Sequence, residues 1–396
     1  MLERAAMFSA ATSDLSNRVA GTATAVGRNS CGDAVERAIA ALGREAGLVL
    51  IFPSGEIDPD AAAAEAWDAA RGACVAGMTG TGAFGADGLI ESGCAAIAFS
   101  SSVPAAVGAV EAGDPRTAAK EAVATAIAGT EAAPYRVVLL FVDSESGDQA
   151  ELVAGAYAVA GGRIPLAGGA AGGAARARFA GHRALSDGVV AVAVGSTAPI
   201  GVGIAHGCVP RGAPSIVTRA DGPNVVQLDG RPAQDVYFER LGIDGDEVDA
   251  DEFNALAMVH PLAEPDLSGA VRPRYIRARG PDGALVCATM IERNAAVEIC
   301  DQTPETIIES ARAAVEDALS PLEAPCEAAI VFDCAARSAW LHGQLAEREV
   351  EALVSAFGSP SPSLVGVCTR GEIGRARGAK GDRNHSVVVA AFSASD

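Results

Sequence analysis

The sequence is short of aromatic residues, which make up 4% of its 396 positions. A core of ordinary size must therefore be built from Ala, Val, Leu and Ile, which the hydrophobic fraction of 49% supplies. Positive charge is also scarce. Thirty Lys and Arg face 50 Asp and Glu, giving a net charge of −20. Such a surface repels phosphate backbones and anionic headgroups, which excludes nucleic acid and membrane surfaces as partners. No apolar run reaches the roughly 20 residues that span a bilayer. The N-terminus lacks a basic segment followed by an apolar one. Of the nine cysteines none forms a Cys-x-x-Cys pair, and several sit in apolar runs such as 94–99. Reduced, buried thiols and a cytoplasmic location are the expectation.

Motifs of common chemistries are missing as well. There is no Gly-x-x-x-x-Gly-Lys-Ser/Thr, no His-Glu-x-x-His and no Gly-x-Ser-x-Gly. Gly80, Gly82 and Gly85 fit a Gly-x-Gly-x-x-Gly spacing, but residues 86–93 do not open a helix whose N-terminus would hold a pyrophosphate. The five histidines are scattered, and no metal is expected. His206 is the most suggestive of them because Cys208 lies close by.

What is present is a repeat. Helical patterns at 33–42, 117–127 and 303–319 are each followed by a short apolar run, at 48–52, 137–142 and 328–332. Uninterrupted runs of this length between helices read as buried strands of parallel type. Each ends in a polar loop, at 53–55, 143–145 and 333–335, and leads to a second helix near 60–73, 150–160 and 347–357. A glycine then follows, Gly77, Gly168 or Gly366, with another five positions on, Gly82, Gly173 or Gly371. Apolar strands at 94–99, 189–194 and 387–392 close the units. Gly93, Pro104 and Gly108 match Gly188, Pro199 and Gly203 at one constant offset. The fold class predicted is α/β, with repeated α-β-α-β units forming layered mixed sheets. Between the second and third units lie candidate strands at 215–218, 225–228, 275–279 and 285–290, and an acidic stretch over 242–267 that reads as helical or irregular.

The third unit is the most polar at its strand ends, where open α/β sheets hold ligands. Arg337 and Glu372 there are either a clamp for a zwitterion such as an amino acid or a structural ion pair between two loops. Cys334 and Cys368 are either nucleophiles, with His385 as a base, or inert buried thiols.

Three third-unit segments carry a family resemblance: Phe332-Asp-Cys-Ala-Ala-Arg337, then Leu364-Val-Gly-Val-Cys-Thr-Arg-Gly-Glu-Ile-Gly374, then Asn384-His-Ser through Phe392. They resemble the C-terminal FIST domain. Residues 217–232 resemble part of the FIST N domain, and the likeness runs from about residue 48 to residue 392. The sequence departs from the family pattern at Cys368, Thr369 and His385. The resemblance implies FIST N-like and FIST C-like halves, here 30–240 and 241–396. It also implies a sensory protein that binds a small ligand, with amino acids as the ligands proposed for the family. The site expected comprises Cys334, Arg337, Gly366, Thr369, Gly371, Glu372 and Asn384. Arg337 would take an anionic group, Glu372 a cationic one, and Asn384 would fix orientation. Output would pass through a separate signalling protein. Two alternatives stay open. One is a haem-binding nitric oxide sensor with His206 or another histidine as axial ligand, and the other is a cysteine-dependent enzyme. Otherwise no cofactor is expected and the protein is read as a non-enzyme.

Overall fold

The computed structural model describes residues 18–145, 149–265, 271–376 and 380–393. The stretch read for a targeting signal lies in 1–17, outside the described residues. The first unit holds β1 (Ala20–Ala25), α1 (Ser30–Leu42), β2 (Ala46–Ser54), α2 (Pro59–Ala69), β3 (Cys74–Met78), β4 (Ala83–Gly85), β5 (Gly88–Ile90) and β6 (Gly93–Ser100). The second repeats this order: β7 (Ala105–Val110), α3 (Pro115–Ala128), β8 (Tyr135–Val142), α4 (Gln149–Ala160), β9 (Leu166–Ala170), β10 (Arg178–Ala180), β11 (Arg183–Leu185) and β12 (Val189–Ser196).

The third unit opens with β13 (Ile200–His206), and a body is then inserted. The insertion contains β14 (Val209–Asp221), β15 (Asn224–Leu228), β16 (Arg231–Pro232), α5 (Ala233–Leu241), α6 (Ala250–Val259), β17 (Leu262–Pro265), β18 (Val271–Arg274), β19 (Ile276–Arg279), β20 (Leu285–Cys287) and β21 (Ala296–Asp301). The unit resumes with α7 (Pro304–Leu319), β22 (Cys326–Cys334), α8 (Ala335–Leu341), α9 (Gln344–Ala356), β23 (Ser363–Thr369), β24 (Glu372–Arg375), β25 (Asp382–Arg383) and β26 (Ser386–Ser393). Helix starts follow the local chemistry. Asp114 accepts from Thr117 N at 2.9 Å, and Thr303 and Thr306 cap each other's backbone, each ahead of a Pro in the first turn.

Each unit builds four strands of one sheet and lends a hairpin to another. The orders are β1-β6-β2-β3-β10-β11, then β25-β24-β9-β8-β12-β7, then β13-β26-β22-β23-β4-β5. The first sheet takes the second unit's hairpin, the second takes the third's, and the third takes the first's. This cyclic exchange closes the three units into a pseudo-threefold body. Register is conserved around it: Phe84, Phe179 and Ile373 stand opposite Gly366, Gly77 and Gly168. A Cβ on Gly366 would lie 2.0 Å from the Phe84 ring, so the repeated glycine makes room for the incoming hairpin.

The inner faces of the sheets share one core, and the helices cover the outer faces. At its centre Phe52, Phe141 and Phe332, equivalent residues of β2, β8 and β22, pack with ring centroids 6.0, 6.2 and 6.2 Å apart. The loops after β3, β9 and β23 also bond in a cycle. Thr81 N donates to Cys368 O at 2.9 Å, Gly172 N to Thr79 O at 2.9 Å, and Arg370 N to Ala170 O at 3.0 Å.

Some elements differ from the sequence reading. A short helix over 335–341 follows β22, where the sequence reading had a loop at 333–335 leading to a helix near 347–357, and that second helix begins at Gln344. The acidic stretch holds α6, opened by an Asp249–Glu252 capping box, and then β17; its end at 266–267 lies outside the described residues. The inserted body has its own core, centred on Tyr237, Phe238 and Phe253.

Candidate functional site

The loops at the strand ends and the inserted body enclose a cavity of about 870 Å³. The third unit contributes Cys334, Ser338, His342, Thr369, Arg370, Gly371 and Asn384 to its wall. The first unit adds Thr81, Gly82, Leu89 and Glu91, the second Ser144 and Glu145, and the insertion Met258, Tyr275, Arg277 and Ala288. The cyclic arrangement explains this convergence, because it gathers the ends of β2, β8 and β22 and the following loops around one axis.

Four residues expected from the sequence line this cavity: Cys334, Thr369, Gly371 and Asn384. Three do not. Gly366 is buried in β23 against Phe84. Arg337 lies behind the wall, 3.0 Å from Asp333 and 2.5 Å from Glu349. Its remaining donors reach Ser310 Oγ at 2.9 Å and Ile307 O at 3.1 Å. Burial works against its charge, and Glu349 and Asp333 more than restore it. The ion-pair partners of Arg337 are thus Asp333 and Glu349, not Glu372. Burial, with Glu349 beside it, holds Asp333 well above the usual carboxylate range.

Glu372 is also fully buried, one residue behind the wall. Its Oε1 accepts from Thr369 Oγ1 at 2.9 Å and its Oε2 from Ser386 N at 3.2 Å. Burial pushes it up to about 8, against the opposing effect of those hydrogen bonds. Asn384 is occupied in positioning Tyr275: its Oδ1 accepts from Tyr275 N at 3.2 Å and Thr289 Oγ1 at 3.1 Å. Thr289 in turn accepts from Arg274, part of a buried set of alternating charges. Arg274 lies 2.7 Å from Glu264 and 2.6 Å from Asp382, and Arg272 lies 2.5 and 3.0 Å from the same two carboxylates. This set fastens the inserted body to the third unit.

The thiols are not poised as thiolates. Burial pushes up both Cys334 and Cys368, and Glu372 adds to the effect at Cys334. His385 is pushed down to about 3 by burial, with Arg337 and His206 adding to it. The backbone of His385 hydrogen-bonds the Cys334 thiol. His206 is not in the cavity wall; its Nδ1 accepts from Cys208 N at 3.3 Å. The histidine in the wall is His342. Among the described residues no group of three or more His, Cys, Asp or Glu could hold a metal ion.

Sequence reasoning missed Tyr275, Arg277, Arg370 and His342. Arg370 had a signal: it stands where the other two units carry Thr81 and Gly172, so only the third unit places a cation on that ring. Burial raises the Tyr275 phenol, Cys334 adds to this, and Arg277 and Arg370 oppose it.

A family model described as the FIST N domain matches residues 47–231, and one described as the FIST C domain matches residues 233–375. The chain belongs to the FIST family. Its two matched segments meet just before α5, inside the inserted body, so the third unit of this FIST protein draws β13 from one segment and α7 to β24 from the other, with β25 and β26 beyond both. No curated protein matches the chain. Among solved structures, cyanuric acid hydrolase from A. caulinodans is similar over 95% of this chain and 99% of that one, at 12% identity and a TM-score of 0.32. Among the described residues of the FIST protein, no helix is long and apolar enough to cross a membrane.

Proposed function

We propose that this FIST protein is a cytoplasmic sensory module that binds a small metabolite, an amino acid or a compound of similar polarity, in the cavity beside α8. It then signals through a separate protein partner. FIST domains are associated with sensory and signal-transduction proteins that bind small ligands, which supports the general role. The observation that carries the reading is the cavity of about 870 Å³, walled by all three units and the insertion. Small-molecule sites fall in this size range and lie at junctions between substructures. A ligand there touches four parts of the fold at once, so its binding favours one arrangement of them.

The test is a thermal-shift screen of amino acids and related metabolites against the wild type and Ala336→Trp; Ala336 lines the cavity, so the indole takes up space in it. A compound at a hundred times its Kd stabilises by about 2.7 kcal/mol, a shift of several degrees. The expected result is a compound that shifts the wild type and not the variant. Equal shifts in both proteins would place binding elsewhere and end this reading.

Haem binding with nitric oxide sensing is a second reading, and His342 is the wall residue that supports it. Absorbance after haemin addition tests it: a stoichiometric Soret band lost in His342→Ala supports it, and a featureless spectrum removes it.

A further inference from the structure

We propose that the ligand of this cavity carries an oxyanion, a carboxylate or a phosphate, held between Arg277 of the inserted body and Arg370 of the third unit. The proposal rests on the cavity being the binding site and adds the ligand's chemical class and two residues that recognise it.

Both arginines line the cavity. Neither has an acidic partner among the described residues, whereas Arg176, Arg272, Arg274 and Arg337 around them are all paired. The wall's carboxylates do not neutralise the two. Glu145 is already paired with Arg176, and among the described residues no ion pair joins Glu91 to either arginine. Arg277 and Arg370 line the same cavity as Tyr275, and both cations favour ionisation of its phenol. In a chain of net charge −20, two cations without an acidic partner among the described residues on one cavity wall give an anion a local attraction.

Both cations are launched from fixed backbone. The Arg370 N–H is tied to Ala170 O in the cyclic ring at 3.0 Å, and the next residue, Gly371, has φ +139°, a conformation that side chains resist. Arg277 lies in β19, two residues after Tyr275, whose N–H is held by Asn384 at 3.2 Å. A guanidinium offers paired donors that match the two oxygens of a carboxylate or phosphate, and such charge-assisted bonds are stronger than neutral ones. The phenol of Tyr275 supplies a further hydrogen bond. Because the arginines belong to different bodies, the anion bridges the inserted body and the threefold body across their seam.

The experiment is titration calorimetry at low salt with two matched pairs, glutarate with glutaramide and glycerol 3-phosphate with glycerol. Wild type, Arg277→Gln, Arg370→Gln, the double variant and Ala336→Trp are compared. At least one acid is expected to bind the wild type while its neutral counterpart does not; which acid binds distinguishes carboxylate from phosphate. Each single variant should weaken binding about ten- to a hundredfold, the double variant should abolish it, and raising the salt should weaken it further. Neutral compounds binding as tightly as the acids, with Ala336→Trp blocking both, would overturn the anion assignment and leave the cavity reading standing. Acids binding Ala336→Trp as they bind the wild type would overturn the cavity reading itself.

Discussion

Replacing Glu372 with glutamine separates a buried carboxyl from a buried carboxylate at the base of the cavity. The amide oxygen can accept from Ser386 N while its NH2 donates to Thr369 Oγ1, whose own hydroxyl is free to donate to Asp333 O, and the side chain cannot ionise. In the folded protein Glu372 is pushed up to about 8 from the ordinary 4.5. The folded state therefore holds this proton more tightly than the unfolded chain does. The stabilisation is complete below about pH 4.5 and is lost as pH rises through about 8, in total on the order of 5 kcal/mol. His385 acts in the opposite sense, since its pushed-down value of about 3 makes its contribution present above about pH 6.5 and lost as pH falls toward 3. That term is common to both proteins and cancels in their difference. Guanidinium unfolding at half-unit steps from pH 5 to 9 measures it. Glu372→Gln should gain stability relative to wild type steadily from pH 5 to about 8 and level off above it, and its own curve should be flatter between pH 5 and 8. Parallel curves would refute the reasoning, because they would mean that Glu372 carries the same proton count folded and unfolded.

Three further outcomes are expected. Arg337→Ala leaves Asp333 and Glu349 buried without their cation and should cost about 3–5 kcal/mol in denaturant unfolding; Arg337→Lys, which cannot reproduce the fork of bonds, should recover only part of this. Gly366→Ala places a methyl 2.0 Å from the Phe84 ring and should cost about 1–3 kcal/mol, relieved in part by Phe84→Leu in a double-mutant cycle. Of the nine cysteines Cys74 is the exposed one, so native protein should show one fast thiol toward a dilute disulfide reagent, lost in Cys74→Ser. Fast labelling of Cys334 instead would revive cysteine chemistry at the cavity.

The repeat was legible because each unit carries an apolar strand of five or more residues, an adjoining helix and a glycine at fixed spacing. The exchange of hairpins was not. β4, β10 and β24 are three or four residues long, too short for a period to register, and the strand each one meets lies in another unit. The glycines at 77, 168 and 366 were visible, but their purpose became clear only with the residues opposite them. The candidate site was half legible for a similar reason. Cys334, Thr369, Gly371 and Asn384 sit at strand ends, which sequence order can place. Pairing Arg337 with Glu372 required knowing which face of α9 looks inward, and that face presents Glu349 to Arg337. Arg277 lies in a segment read as a strand, with nothing local to show that the insertion folds back over the cavity. The helix at 335–341 was not foreseen because a seven-residue helix lacking a side-chain cap leaves little pattern.

Hydrogen exchange followed by mass spectrometry, with and without the tightest compound from the metabolite screen, tests the central claim most directly. Ligand in the cavity should slow exchange together in peptides covering 271–279, 334–343, 369–371 and 384–386, which lie on both sides of the seam. Helices α1 and α2, on the outside of the first sheet, should exchange unchanged. Protection confined to those helices, or to the inserted body alone, would contradict a site shared between the threefold body and its insertion.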